Sequence, residues 1–420
     1  FFYLCSFLSK SRKVKNWFRF IGSNKRMLNF GFLFNFFSAY GQTFFISLFV
    51  PFWVESFRIS HATFGSIFAL VTVVAAVLLS LTGRFIDRMP LKRFGSIVFT
   101  GLMASTVLLA LAGNIVFLVA GLLLVRWLGQ GMMTHTSQTG IAKHFEEDRG
   151  KALGITALGR SAGQFIMPLL VLPLLTAAGW RTGLIIMAAV ALVIVVPILW
   201  TMVPAETAEP DHSPQETGTN GKGNNYLLSG KFWIIAVNAF LIPFIATAIV
   251  LYQYTIGRHR GWDASWIVFS FAFYAIFSAV GLLLSGNLVD RFTGIRLFPL
   301  YLIPALVSLV LIALISASWI LPVFYGLLGL STGLGNPIRT AVLAEIYGIS
   351  SLGKIRSYFA TTMVISTAVG PPIFGYLMDK KVPLNGIFLS SAAIVLMIIL
   401  LSFKISATHR AYPRRVASFT

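Results

Sequence analysis

Three arginines of this 420-residue chain lie inside long apolar runs: Arg126, Arg160 and Arg339. If those runs cross a membrane, an ionised side chain at the bilayer centre costs about 2.5–3.5 kcal/mol, so each arginine needs a functional or structural reason. A cavity that holds arginines and no carboxylate attracts anions and repels cations. The arginines and nearby polar side chains are therefore candidates for binding an organic anion: Asn35, Gln42, Arg126, Gln130, Arg160, Tyr274, Asn336 and Arg339.

Helical periodicity groups some of these side chains. At 100° per residue, Gln130 falls within about 40° of Arg126 on one helix. Two further pairs also share a helix face, Asn35 with Gln42 and Asn336 with Arg339.

Each candidate also has a structural alternative. Arg126 would then bond to backbone carbonyls or a neighbouring helix, and Arg339, near the end of its run, would extend to the interface. Tyr274 would serve packing and bonds between helices.

The positions of the acidic residues restrict the kind of solute. All 13 lie in loops, in a linker or at the ends of apolar runs, with Glu345 nearest to the membrane. This distribution argues against a sodium symporter and an exporter of cationic drugs. We expect no cofactor; any coupling to a proton gradient would use the solute carboxylate, Glu345 or His135. His135 falls on the opposite helix face from Arg126, where a packed, hydrogen-bonded histidine is the alternative.

The composition excludes a soluble enzyme or a disordered chain. Hydrophobic residues make up 57% of the chain and charged residues 11%, against about 45–50% and about 25% in ordinary globular proteins. The net charge of +20 would suggest nucleic acid in a soluble protein, but here the basic residues flank the apolar runs and we expect no nucleic-acid partner. The single cysteine, Cys5, can form neither an internal disulfide nor a cysteine metal site. The expected partners are the lipid bilayer and a small solute, with the chain acting as a monomer.

Twelve apolar runs have the length of a membrane-spanning helix, which needs about 20 residues. Six precede a polar gap and six follow it: 28–53, 64–83, 94–113, 115–139, 152–178, 182–203, 232–256, 265–288, 295–317, 318–342, 357–377 and 384–405. The sequence therefore predicts an all-α polytopic membrane protein with twelve transmembrane helices in two pseudo-symmetric six-helix bundles.

The predicted organisation has five parts. A basic cytoplasmic segment (1–27), whose start is in question because the first methionine is Met27, precedes a six-helix bundle (28–203). A flexible cytoplasmic linker (204–230) follows, because its composition cannot bury enough apolar surface to offset ordering entropy. A second bundle (231–405) and a basic cytoplasmic tail (406–420) complete the chain.

The basic residues set the predicted orientation. With the N-terminus inside, cytoplasmic segments hold 24 Lys and Arg and the outer loops hold six, so both termini should be cytoplasmic. A chain with short loops and no transit peptide suits a bacterial inner membrane.

A repeat relates the two halves at an offset of 203 residues. The segment GRFIDR after the second run matches GNLVDR after the eighth, and Pro168 matches Pro371. The residues shared by the first match are Gly83, Asp87 and Arg88 in one copy and Gly286, Asp290 and Arg291 in the other. The halves are therefore predicted to be parallel copies, with a cavity between the bundles near mid-membrane.

At these positions the chain resembles the major facilitator superfamily of secondary transporters, over 28–405. The segment from Gly83 to Arg93 is similar to the family's loop signature between its second and third spans, with Pro90 replacing the usual glycine. Arg126 followed by Gly129-Gln130-Gly131 resembles the family's fourth-span signature. The resemblance implies that the loop is a latch that holds the cytoplasmic side shut, with Asp87 accepting from basic groups or a helix N-terminus in the other half.

Glycine and proline residues in the fifth and eleventh spans also resemble the family's helix bends. Small residues let helices approach closely and prolines bend them. The residues concerned are Gly159, Gly163, Pro168, Gly370, Pro371 and Pro372.

Within the superfamily, the segments 38–49, 150–168 and 344–353 look most like bacterial carriers near the monocarboxylate and oxalate–formate porters. The resulting hypothesis is a carrier that moves a small organic anion by alternating access. The alternative is an exporter or permease of a neutral or amphipathic solute. An enzyme is not expected, because no metal-ligand or catalytic cysteine pattern is present, and no repeated filter indicates a channel.

Overall fold

A computed structural model describes residues 19–145, 148–202, 229–348 and 352–409. All regular secondary structure within these ranges is helical. Most of the predicted basic N-terminal segment, of the linker and of the C-terminal tail lies outside the described residues.

Within residues 25–145 and 148–202, the first half of the chain forms eight α-helices. They are α1 (Lys25–Phe37), α2 (Thr43–Ile46), α3 (Val50–Ser56), α4 (His61–Thr82), α5 (Leu91–Ala110), α6 (Ile115–Val125), α7 (Thr134–His144) and α8 (Arg149–Met202). Short 3₁₀ segments occupy Ser38–Gly41 and Gly83–Asp87, and a π-helix joins α6 to α7 over Arg126–Met133. Asn114 caps α6 by accepting hydrogen bonds from the backbone of Val116 and Phe117, as a short polar side chain does at a helix start.

Within residues 229–348 and 352–409, the second half forms seven more. They are α9 (Gly230–Arg260), α10 (Ala264–Phe292), α11 (Gly294–Leu297), α12 (Ile303–Leu314), α13 (Ile320–Tyr347), α14 (Leu352–Asp379) and α15 (Leu384–His409). Gly261 ends α9 in the left-handed conformation, which glycine adopts without a steric penalty. Asp263 caps α10 by accepting from the Trp266 N–H.

The helices depart from the predicted runs at three places. The run 28–53 is interrupted after Phe37, and 295–317 is interrupted after Leu297. The runs 152–178 and 182–203 are joined in α8, where Gly179 has φ 75° and marks the change of direction. Apolar composition fixes which segments enter the bilayer, whereas the breaks depend on local contacts.

The described residues support a membrane protein. Eight helical stretches within them are long and apolar enough to cross a bilayer: 61–87, 91–110, 115–144, 149–197, 230–260, 264–292, 294–314 and 384–405. Large apolar side chains face outward along these stretches, for example Leu283 and Val193, which are 76% and 75% exposed. Such broad apolar exposure is expected where lipid replaces water. The count of twelve spans stays a prediction.

Backbone contacts divide the chain into two compact units. The first takes its residues from 1–45, 75–167 and 174–213. The second takes them from 46–74, 168–173 and 214–420. The segment 46–74 therefore packs with the second half of the sequence, although its position in the repeat belongs to the first half. The bundle boundaries inferred from the repeat stay a prediction.

Candidate functional site

The candidate site in the first unit is built around a break in the first predicted span. After α1, the chain forms one 3₁₀ turn and becomes extended at Gln42 (φ −84°, ψ 151°). The π-helix Arg126–Met133 lies against this break. A Cβ added to Gly129 would lie 2.7 Å from the Gly41 backbone nitrogen. The two glycines thus let an unwound segment touch a π-helix backbone to backbone, and both irregularities are typical of functional sites.

The side chain of Arg126 bridges the π-helix and the unwound segment. This side chain is 2% exposed, and Nη1 donates to the Gly41 carbonyl at 3.1 Å. The carbonyl is available because the helix ends there and its usual donor four residues later is lost. The alternative in which Arg126 bonds to a backbone carbonyl is therefore observed.

Gln42 and Arg160 form the second polar contact at the break. Arg160 Nη2, from α8, donates to Gln42 Oε1 at 3.2 Å. The Gln42 side chain is buried, and its Nε2 has no hydrogen-bond partner among the described residues. Since the amide oxygen is engaged by a guanidinium, the group left to bind a ligand at Gln42 is a donor. The helix stops at Phe37, so helical spacing does not relate Asn35 to Gln42, although both side chains contact α8, at Thr156 and Arg160.

Asn35 lies in a buried network that holds three spans together. Its Nδ2 lies 2.7 Å from Ser137 Oγ and 3.0 Å from the Thr156 carbonyl. Ser137 Oγ in turn donates to the Gly31 carbonyl at 2.8 Å. These contacts satisfy the amide donors within the protein, so the observed role of Asn35 is to join α1, α7 and α8.

Gln130 sits half-buried on the π-helix, one turn beyond Arg126. The π geometry changes the angular positions after residue 126, so the 100° spacing does not apply to this stretch.

The glycines of the fifth span bring α8 close to α1. A Cβ on Gly163 would lie 2.6 Å from the Phe36 carbonyl, and one on Gly159 would overlap the Phe32 carbonyl.

The second unit holds the remaining candidates. Arg339 is buried; its Nη2 donates to Asn336 Oδ1, and its guanidinium carbon lies 5.9 Å from the centre of the Tyr301 ring. Tyr274 donates to Thr332 Oγ1 at 3.2 Å, which ties α10 to α13. Arg339 therefore faces the amide of Asn336, an exposed residue, and an aromatic ring.

The loop Gly83–Asp87, predicted to be a latch, is tied to the following helices of its own unit. Asp87 Oδ1 lies 2.5 Å from Lys143 Nζ, with both side chains more than half exposed. His135 Nε2 lies 3.0 Å from the Gly83 carbonyl, so the histidine is hydrogen-bonded, as its structural alternative required. Arg88 packs over the Phe85 ring at 5.6 Å. The observed partner of Asp87 is a lysine of the same unit.

The second copy of the loop signature has a different local structure. Gly286, Asp290 and Arg291 lie in the last turns of α10, and Arg291 packs over Phe292 at 5.2 Å. Glu345 accepts from the backbone N–H groups of Gly294 and Ile295 at 2.7 and 3.0 Å. The observed role of this carboxylate is to cap the short helix that follows the signature.

The prolines and glycine of the eleventh span lie within α14. A Cβ on Gly370 would overlap the Phe244 carbonyl of α9, so these helices approach closely there. Pro371 and Pro372 follow directly inside the helix, and Pro168 lies within α8.

Three polar contacts of the second unit were not predicted. Gln253 Nε2 donates to Ser47 Oγ at 2.9 Å and its Oε1 accepts from Tyr325 at 2.7 Å. His61 Nδ1 lies 3.0 Å from Asp379 Oδ1. The available signal was an amide inside an apolar run, at Gln253. Among the described residues, no group of three or more His, Cys, Asp or Glu side chains could hold a metal ion.

Comparison with known proteins identifies the class. The sequence profile of the Major Facilitator Superfamily matches residues 31–326 and 255–418. The chain belongs to this family of membrane transporters.

Curated relatives and solved structures agree with that assignment. Human monocarboxylate transporter 11 is 23% identical over 319 residues, covering 70% of this chain and 65% of the relative. Rat monocarboxylate transporter 13 is 25% identical over 270 residues, covering 61% and 59%. The matched region thus spans slightly less than two thirds of these relatives.

The fold matches transporters of known structure. A bacterial homologue of the human lysosomal transporter Spinster, in an inward-facing and occupied conformation, gives a TM-score of 0.70 at 17% identity, covering 91% of this chain and 96% of that one. The nucleoside transporter NupG gives 0.72 at 12% identity, covering 93% and 99%. At these identities the similarity shows the fold alone.

Proposed function

We propose that this chain is a secondary active transporter that moves a small organic anion, of the monocarboxylate type, by alternating access. The observation that carries the proposal is the buried guanidinium of Arg126 at the break in the first span, held by the Gly41 carbonyl at 3.1 Å. A discontinuous helix within a transporter bundle is a common place for solute binding. The names of the relatives, monocarboxylate transporters, support the same solute class.

The electrostatics of the break favour an anion. Arg126 and Arg160 bring two guanidinium groups to adjacent residues of one unwound segment, Gly41 and Gln42. The acidic residues of the first half lie in loops or at the ends of spans. A carboxylate is a strong partner for such guanidinium groups, and Gln42 Nε2 adds a neutral donor.

We place both termini in the cytoplasm and the chain in a bacterial inner membrane, with twelve spans and a monomer as the working unit. The excess of Lys and Arg on one side, 24 against six, supports the orientation. Proton coupling, if the carrier uses it, would involve the solute carboxylate, His135 or Glu345.

The test is thermal stabilisation of the purified protein in detergent by small solutes. A ligand that binds only the folded state raises the apparent melting temperature. We expect monocarboxylates to stabilise the protein, and neutral sugars or amides of similar size to have no effect. Arg126→Ala should abolish that stabilisation, whereas Arg296→Gln, which removes an exposed arginine elsewhere, should preserve it. Stabilisation by neutral solutes alone would refute the anion assignment.

One observation favours the alternative, a carrier of a neutral or amphipathic solute. An open groove of about 500 Å³ in the second unit is lined mainly by aromatic and apolar side chains. The polar and aromatic residues around it are Phe232, Trp233, Phe240, Tyr358, Thr361 and Thr362. Stabilisation by amphipathic solutes that Phe240→Ala removes and Arg126→Ala leaves intact would select this function.

A further inference from the structure

One end of α4 is held by the second half of the chain. His61, at the start of α4, and Asp379, at the end of α14, are 318 residues apart in sequence and lie in the same compact unit. Asp379 Oδ1 accepts from the backbone N–H of His61 at 3.0 Å, and Oδ2 accepts from that of Ala62 at 2.8 Å. The first N–H groups of a helix lack partners within it. Another span therefore caps two of the first N–H groups of this 22-residue helix, those of His61 and Ala62, while Ser60 Oγ accepts locally from the Thr63 N–H at 3.1 Å.

The imidazole of His61 adds a second contact to the same carboxylate. Its Nδ1 lies 3.0 Å from Asp379 Oδ1, and each side chain is about one quarter exposed. Tyr252, from α9, donates its hydroxyl to the His61 carbonyl at 2.7 Å. Three helices thus meet at one residue, through its backbone N–H, its carbonyl and its ring.

Next to the His61–Asp379 contact, the backbones of α4 and α14 touch. A Cβ on Gly65 would lie 2.6 Å from the Pro371 carbonyl, and one on Gly375 would lie 2.5 Å from the His61 carbonyl. The contact therefore runs for more than one turn along both helices and leaves no room for a side chain at either glycine. We call the group formed by His61, Gly65, Tyr252, Gly375 and Asp379 the capped joint.

A second polar layer lies next to the capped joint. Ser47, Gln253 and Tyr325 are buried, and Gln253 uses both ends of its amide on the other two, at 2.9 and 2.7 Å. Gln253 adjoins Tyr252 in α9, so the two layers share a helix. The amide of Gln253 is satisfied by these protein groups.

We propose that the capped joint is a gate of the transport cycle, in which Asp379 is the latching residue and the second-half helices release α4 when the gate opens. The inference rests on alternating access in the proposed function. It lies at the opposite end of α4 from the Asp87 loop, so in the proposed orientation it faces outward. Opening leaves the backbone N–H groups of His61 and Ala62 to water, and closing returns them to the carboxylate. The backbone contacts at the two glycines set the closed position.

The experiment measures how often the gate opens. Cys5, the only cysteine, is replaced by serine and a reporter is introduced by Ser47→Cys, whose parent side chain is fully buried. Labelling by a membrane-impermeant maleimide is followed from the outside of oriented vesicles. We expect Asp379→Asn to raise the labelling rate several-fold, Asp379→Ala to raise it further, and Asp379→Glu to restore part of the protection.

The matched control is Asp263→Asn. Asp263 also caps a helix in this unit, α10, but through the local Trp266 N–H, and asparagine replaces aspartate well in such a cap. Its labelling rate should equal that of the parent. His61→Gln, which leaves the Asp379 carboxylate in place, should give an intermediate rate, and it serves if the Asp379 variants fail to fold.

The outcomes separate this inference from the proposed solute class. Faster labelling in the Asp379 variants supports the gate even if carboxylates fail to stabilise the protein. Unchanged labelling in folded Asp379→Asn and His61→Gln proteins would overturn the gate and leave the anion assignment standing.

Discussion

Gly41 and Gly129 touch backbone to backbone, so closely that a Cβ added to Gly129 would lie only 2.7 Å from the Gly41 nitrogen. This contact joins the unwound turn of the first span to the π-helix of the fourth. It also holds the Gly41 carbonyl within 3.1 Å of Arg126. The position of the buried guanidinium therefore depends on two residues that have no side chain.

The first prediction concerns this contact. Gly129→Ala should lower the free energy of unfolding by about 1–3 kcal/mol, because the added methyl group forces backbone atoms apart. Stabilisation by carboxylates should fall with it, since Arg126 is displaced. The matched control is Gly154→Ala in α8, where a Cβ meets nothing within 4 Å; it should be neutral or slightly stabilising. Melting temperatures of both variants, with and without ligand, provide the check.

The second prediction exploits the Gln42 amide. Gln42→Glu places a carboxylate where Arg160 already donates to the amide oxygen at 3.2 Å. An internal carboxylate would compete with the solute for the guanidinium groups, so we expect anion binding to fall at least tenfold while the fold persists. Gln42→Met, of similar size and uncharged, should weaken binding less. Equal binding in the glutamate variant and the parent would remove Gln42 and Arg160 from the solute site.

The third prediction tests whether Asp87 acts only through Lys143 or also through a group in the other half of the chain. An exposed ion pair such as Asp87 with Lys143 contributes about 0.2–1 kcal/mol. If Lys143 were the only partner, Asp87→Asn and Lys143→Gln would affect transport equally and weakly. We expect Asp87→Asn to reduce counterflow in proteoliposomes at least tenfold and Lys143→Gln to reduce it less than threefold. Equal effects would show that no group beyond Lys143 depends on the aspartate.

Hydropathy and the duplicated loop signature predicted the family, the all-α class and the membrane setting. Those features depend on composition and local spacing, which a single sequence contains. They did not predict the break at Gln42, because the residues around it remain apolar and the π-helix that lies against it is not visible in the spacing. The π-helix at Arg126 was missed for the same reason.

The long-range polar contacts could not be predicted from spacing. His61 and Asp379 lie outside every recognised motif, and 318 residues separate them. Glu345 was identified as the acidic residue nearest the membrane, but its use as a helix cap depends on the position of Gly294. Sequence patterns located the polar residues, and the folded backbone determined which of them meet.

The last prediction concerns the effect of low pH on the capped joint. Partial burial raises the pKa of Asp379, while hydrogen bonds from Ala62, from the His61 and Ser60 side chains and from the His61 backbone lower it, and the net result lies below its ordinary value. A carboxyl group whose pKa is depressed in the folded state stabilises that state above its unfolded pKa and loses the contribution as pH falls through the folded value. The capped joint should therefore hold at neutral pH and weaken only below about pH 4, the ordinary carboxyl range.

The titratable groups facing Asp379 are His61 on α4 and Tyr252 on α9, and the phenol stays neutral in this window. The labelling rate at Ser47→Cys is divided by the rate of a free thiol in the same buffer, because the thiolate is the reacting form. This relative rate should rise in the parent as the buffer is made more acidic than about pH 4, and Asp379→Asn, already fast, should respond less. A pH response of equal size in both proteins would assign it to another group.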